Sequence, residues 1–248
     1  MENGTKKTSA PNSPGDFLEQ VGRRRFLRYA GFSVAMTSVI MAACENNSEV
    51  GPGANTQQGA RAVGDVIDLG SGDVGILNYA YALEQLETAF YDQVLRTPFR
   101  NITTREFELL KEVRNHELVH TEFFKAALGP AGIPTLSFKF PGIDFTDRLF
   151  VLNQARQFED VGVSAYNGAG RLLADASNLL VAGKIVSVEA RHAALFRTLT
   201  ASPGSGFFAG DDVVDNNGLD VVRTPAQVLP IAQMYINETI TATRLPMM

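Results

Sequence analysis

Cysteine is almost missing from this chain: Cys44 stands alone among 248 residues, which excludes an intramolecular disulfide framework. Histidine is scarce too, with only His116, His120 and His192 available for imidazole chemistry. Positive charge is in deficit. The 22 Lys/Arg against 27 Asp/Glu leave a net charge of −5, which gives no reason to expect nucleic acid as a partner. The apolar stretch at 29–43 holds fifteen residues, short of the roughly 20 that span a bilayer comfortably. No flavin site or haem motif is present, and nothing in the sequence offers a large apolar substrate channel. What remains is ordinary for a soluble globular chain: 45% hydrophobic and 20% charged residues, enough to bury a real core.

Residues 1–43 read as an address rather than as fold. Arg23-Arg24-Arg25-Phe26-Leu27-Arg28 precedes the apolar stretch, a charged region followed by a hydrophobic one. The adjacent arginines with Phe-Leu behind them resemble a twin-arginine export signal, although Gly22 stands where Ser or Thr is usual. Met41-Ala42-Ala43-Cys44 resembles a lipobox, which would make Cys44 the lipidated mature N-terminus and the membrane a partner through that anchor. Simple cleavage and an uncleaved anchor are the alternatives. The expected location is the periplasm or cell envelope. Without residues 1–43, which carry six Lys/Arg and three Asp/Glu, the chain sits near −8. Residues 44–72, rich in Gly, Asn and Gln, read as a flexible tether.

From residue 73 the pattern changes to long apolar periodicity with few β-branched runs, the signature of helices. A first helix is expected over 74–96, ended by Thr97-Pro98. A second is expected over 104–128, opened by the capping-box pattern Thr103-x-x-Glu106 and stopped by Gly129-Pro130. The stretch 131–144 reads as non-helical, with Pro134, Pro141 and an alternating segment at 136–140. A third helix is expected over 145–173 and, after a break at 175–177, a fourth up to Thr200. A loop at 202–220 and a short helix after Thr224-Pro225 complete the chain. Four such helices imply an all-α four-helix bundle over 73–201, two antiparallel hairpins joined by a long crossover, with 202–248 as loop and short C-terminal helical tail.

Two of the three histidines follow a glutamate by three residues: Glu117-Leu-Val-His120 and Glu189-Ala-Arg-His192. On a helix this step turns about 300° and rises about 4.5 Å, so both side chains share one face. Carboxylate and imidazole presented together suit a first-row transition metal. The other two helices carry a matching register, Glu84 then Tyr91 in the first and Glu159 then Tyr166 in the third, while Phe124 and Phe196 follow Glu117 and Glu189 at the same seven-residue distance. The hairpins thus repeat: Glu then Tyr, Glu-x-x-His then Phe. The pairs also fall within apolar stripes, Leu110, Val113 and Phe124 in one helix and Leu179, Ala182, Val186 and Phe196 in the other. Carboxylates buried there cost several kcal/mol each unless paired or metal-bound. Two divalent cations would balance four carboxylates.

This pattern resembles the ferritin-like di-iron and di-manganese carboxylate proteins, which take a Glu from each of two helices and a Glu-x-x-His from each of the others. The run from Leu77 to Tyr91, with Phe158 to Tyr166 and Val188 to Ala194, is similar to the bacterial ferritin-like branch that includes desiccation-related proteins. The resemblance implies Glu84, Glu117, His120, Glu159, Glu189 and His192 as ligands of two ions, Fe or Mn, with Glu117 and Glu189 as bridges. Glu87, one turn beyond Glu84, is the alternative first-helix ligand or a group behind it. Tyr91 and Tyr166 read as hydrogen-bond donors to a carboxylate or as redox relays, and His116 as a surface residue or one that supports a ligand. Gly162, one turn past Glu159, clears space for a small ligand or for close helix packing.

Two functions follow from that site. The first is an exported oxidoreductase acting on O₂, peroxide or Fe²⁺, ferroxidase-like or catalase/peroxidase-like, that protects the envelope. The second is a structural or desiccation-protective envelope protein whose metals only stabilise the bundle. An oligomer is compatible with either, whereas a closed iron-storage cage fits poorly with a lipid anchor and long tether.

Overall fold

Local capping sets the helix boundaries in the computed structural model, which describes residues 65–202 and 208–246. The export signal at 1–43, Cys44 and the tether up to residue 64 lie outside the described residues. Helix α1, Gly72–Arg96, starts two residues earlier than expected. Helix α2, Thr104–Leu128, has the expected ends and the complete capping box: the Thr103 side chain accepts from the Glu106 N–H while Glu106 accepts from the Thr103 N–H. The third helix is shorter than the pattern suggested. Helix α3 spans Arg148–Gly170, because Asp144 folds 144–146 into a turn and Asp147 caps Phe150. Helix α4, Ala176–Thr200, is capped by Asp175 through the Ser177 N–H. Helix α5, Pro225–Gln233, has a second capping box, Thr224 with Gln227.

Helices α1 and α2 form one hairpin, α3 and α4 the other, and residues 129–147 cross between them. Helix α1 is buried on nearly every side. Its polar residues strap the crossover down: Asn78 bonds the Leu69 and Ala131 carbonyls and the Ile133 N–H, and Gln85 accepts from the Leu136 N–H. Phe90 adds an apolar clamp, edge-on to Phe158 at 5.0 Å and to Phe140 at 5.7 Å. Burying such a ring contributes about 2–3 kcal/mol.

The stripe of α2 runs through Leu110, Val113, Glu117, His120 and Phe124, as the periodicity predicts. On α4 the stripe is turned slightly. Leu179 is 46% exposed and Ile185 rather than Val186 is buried, while Asp73 at the start of α1 accepts from Asn178 in the first turn of α4.

Two further differences concern the ends of the chain. Composition groups residues 65–72 with the tether, yet Val66–Asp68 forms strand β1, parallel to β2, Thr239–Thr241. Ile67 and Leu69 are buried beneath it. The partner strand lies far along the sequence, so composition alone does not reveal the pairing. The tail, for which the sequence suggests only a loop and a short helix, packs onto the bundle. The Arg223 N–H bonds the Ser164 carbonyl, and the Arg223 carbonyl lies 1.8 Å from where a Cβ on Gly168 would stand, so only glycine fits there. Glu238, 1% exposed, accepts from both the N–H and the hydroxyl of Ser137 in the crossover. Among the described residues no helix is long and apolar enough to cross a membrane.

Candidate metal centre

The inward faces of α1 to α4 bring all six expected residues to the middle of the bundle. Glu84, Glu117, Glu159 and Glu189 are each 0% exposed, His192 4% and His120 9%. They divide into two overlapping groups whose ligating atoms lie within 4.8 Å of one another: Glu84, Glu117, His120 and Glu189, and Glu117, Glu159, Glu189 and His192.

The oxygen atoms sort themselves by role. Tyr166 donates to Glu84 Oε1 at 2.5 Å, and Tyr91 donates to Glu159 Oε1. Each outer carboxylate therefore has one oxygen occupied by a phenol and keeps only Oε2 for the centre. Glu117 and Glu189 have no such partner and present both oxygens. Glu117 Oε1 lies 2.9 Å from His192 Nδ1 and its Oε2 3.7 Å from His120 Nδ1. Glu189 Oε1 lies 2.9 Å from His120 Nδ1 and its Oε2 3.4 Å from His192 Nδ1. One oxygen of each faces each half, the arrangement a bridging carboxylate requires.

These short distances are not hydrogen bonds of acceptable geometry. Glu84 Oε2, Glu159 Oε2, both oxygens of Glu117 and of Glu189, and Nδ1 of His120 and of His192 are all buried without a hydrogen-bond partner. Leaving that many polar atoms unsatisfied in a core would cost about 1–3 kcal/mol each. Bound metal would satisfy them together, and a mixed carboxylate–imidazole donor set suits a first-row transition metal.

The electrostatics show the same congestion. Burial pushes the Glu84 pKa up to about 8, against the pull of His120 and with help from Glu189 and Glu117. Glu159 is raised well above the usual carboxylate range for the same reason, burial first. At His120, burial works downward, but Glu84, Glu117 and Glu189 outweigh it and hold the imidazole well above its ordinary value; Glu159, Glu117 and Glu189 do this for His192. Glu117 goes the other way. Burial raises it, the two histidines outweigh that, and the result is a pKa of about 2. Tyr91 and Tyr166 are raised by burial and by Glu159 and Glu84 respectively, so they stay phenols and remain donors.

Glu87 belongs to neither group. It is buried one turn beyond Glu84, with burial and then Glu159 raising its pKa, and Gly162 faces it: a Cβ on Gly162 would lie 3.1 Å from Glu87 Oε1. Gly162 thus makes room for a side chain of this protein. Ile231 and Ala232 of α5 line the same small space.

Two features were not legible in the sequence. His116 Nδ1 lies 2.9 Å from His192 Nε2, a contact between α2 and α4 that only the bundle geometry creates. Burial and then His192 hold the His116 pKa below the usual histidine range. The second is an apolar cavity of about 50 Å³, lined by Tyr79, Leu83, Phe124, Tyr166 and Ala169 among others. It is smaller than a channel for a large substrate, but it reaches Tyr166, one hydrogen bond from Glu84.

Comparison with curated proteins gives no match. Residues 72–202 match the family model described as the ferritin-like domain, a span that covers all four bundle helices and all six clustered ligands. The chain belongs to the ferritin-like domain family.

Proposed function

We propose that this protein binds two divalent metal ions, iron or manganese, and uses them for redox chemistry with O₂ or peroxide, ferroxidase-like or catalase/peroxidase-like, as protection of the cell envelope. The observation that carries the proposal is the set of buried, unpartnered atoms converging from four helices, two carboxylates offering both oxygens and two offering one. Glu84, Glu117, His120, Glu159, Glu189 and His192 would hold the two ions, which would supply Lewis acidity and redox capacity toward a two-oxygen substrate. The protein's own part is positional. Tyr91 and Tyr166 fix the outer carboxylates, and each Glu-x-x-His turns one imidazole nitrogen inward. Phe124, Phe196 and the surrounding core exclude bulk water. The cavity beside Tyr166, about 50 Å³, has room for a molecule of a few atoms, roughly what O₂ or peroxide needs.

Export supports the same reading from the other end of the chain. Arg23-Arg24 and the Met41-Ala42-Ala43-Cys44 run fit a protein that leaves the cytoplasm folded and is tethered by lipid at Cys44. A folded export route lets the metal be loaded before translocation.

The test is turnover by the full chain loaded with Fe²⁺ or Mn²⁺. Consumption of O₂ or peroxide that disappears in Glu117→Ala supports the redox function. Tight metal binding that raises the melting temperature without any turnover would establish the structural, stress-protective role in its place.

A further inference from the structure

The two hairpins repeat their ligands but not what stands behind them. Position for position, the residue before Glu117 is His116 and the residue before Glu189 is Val188; three residues after Glu84 comes Glu87, and three after Glu159 comes Gly162. Both departures add a polar side chain, and both additions fall beside the same half of the centre.

His116 Nδ1 lies 2.9 Å from His192 Nε2. With His192 Nδ1 turned toward the carboxylates, a metal-ligating His192 is neutral and carries its proton on Nε2, which makes His116 the acceptor. That contact fixes the tautomer and ring plane of His192. The two rings are within 10° of parallel, with centroids 5.2 Å apart, as an in-plane hydrogen bond requires. His120 has no counterpart: among the described residues no group hydrogen-bonds its Nε2. Glu87 lies between Glu84 and Tyr91 along α1, toward the end where Tyr91 meets Glu159, and occupies the space that Gly162 leaves one turn from Glu159. Its carboxylate makes no hydrogen bond to any described residue. It places an additional carboxyl group close to one metal position only.

We infer that the two metal positions are inequivalent, and that the one held by Glu117, Glu159, Glu189 and His192 is the tighter, with His116 and Glu87 as its positioning residues. This rests on the dinuclear reading of the site. Groups behind a metal ligand typically change affinity by about 10–100-fold when removed, enough to separate two binding steps.

Anaerobic Mn²⁺ titration of the full chain, followed by calorimetry and by electron paramagnetic resonance of the bound ions, tests it. The wild type takes up two ions in two resolved steps. Glu159→Ala removes the tight step and Glu84→Ala the weak one. His116→Ala weakens the tight step about 10–100-fold while the weak step stays within a few-fold. His116→Asn restores most of the loss, since its amide oxygen takes the place of Nδ1. Glu87→Gln weakens the same step. Two equal steps in the wild type, the reverse assignment of Glu84 and Glu159, or equal weakening of both steps by His116→Ala would overturn the inference. Uptake of fewer than two ions by the wild type fails differently, since it overturns the dinuclear reading itself. His116 is only half-buried, and circular dichroism of each metal-free variant separates lost binding from lost folding.

Discussion

The α1–α2 hairpin and the α3–α4 hairpin present the same ligands in the same order, but they are braced by different parts of the chain. The first is held by the crossover, through Asn78 and Gln85 on α1. The second is held by the tail. Arg197 on α4, 6% exposed, is bidentate to Asp160 on α3 at 2.8 Å and also bonds Asp212 at 2.8–3.0 Å. Arg223 closes the same side onto Ser164. Repetition in the core, where two overlapping groups of ligating atoms must converge, thus coexists with divergence outside it, where any sufficient brace will do. Tolerance to substitution should follow that division.

The sharpest way to break the symmetry is at the bridges. Glu117 and Glu189 each present an oxygen to both halves, so Glu117→Ala and Glu189→Ala are expected to lose both ions. Glu84→Ala and Glu159→Ala touch one half each and should retain one ion. Metal-to-protein ratios after gel filtration check this. A protein that kept one ion after loss of Glu117 would show that the halves are not joined by carboxylate bridges.

The braces should respond separately. Arg197→Ala leaves Asp160 with its charge and no partner close to Glu159, and a cost of roughly 3 kcal/mol in urea unfolding is expected. Asn78→Ala orphans the Ile133 N–H and the Leu69 and Ala131 carbonyls, for about 2 kcal/mol. The two should add within about 0.5 kcal/mol if the hairpins are braced independently.

Acidity tests whether cations or protons satisfy the core. In metal-free protein the Glu84 pKa rises on folding, from 4.5 to about 8, so folding binds a proton and stability falls as pH rises across that interval. The imidazolium forms of His120 and His192 act in the same direction, since their raised pKa values give a contribution complete below about 6.5 and lost as pH climbs through the folded values. Metal ions displace those protons. Affinity should therefore rise by about tenfold per pH unit for each proton released. Melting curves from pH 5 to 8 should show the metal-free protein losing stability and the gap to the loaded protein widening.

Much of this centre was legible because the same seven-residue and three-residue spacings occur twice, and an α-helix converts such spacings directly into faces. The α2 boundaries were legible for a similar reason, since Thr103 and Glu106 cap each other within one turn. Contacts between elements were not. Val66–Asp68 needs Thr239–Thr241, His116 needs His192, and Arg197 needs Asp212, and none of these pairs leaves a local trace. Helix α4 shows the limit within a helix: periodicity located Glu189, His192 and Phe196 on the buried face, but Leu179 and Val186 lie off it, since which flanking positions are covered depends on the neighbouring helices.

The finest comparison is between the two phenols. Tyr91 reaches from α1 to Glu159 and Tyr166 from α3 to Glu84, so each hairpin's tyrosine steadies the other's ligand. Tyr91→Phe and Tyr166→Phe keep the ring packing and remove one donor, freeing the outer carboxylate to rotate. A loss of about tenfold in affinity is expected at one metal position in each case, the Glu159 position for Tyr91 and the Glu84 position for Tyr166. If the cross-link is purely reciprocal, the two variants cost the same. A larger loss for Tyr166→Phe would instead point to the cavity that reaches this phenol, because water entering there could compete for Glu84 once the hydroxyl is gone.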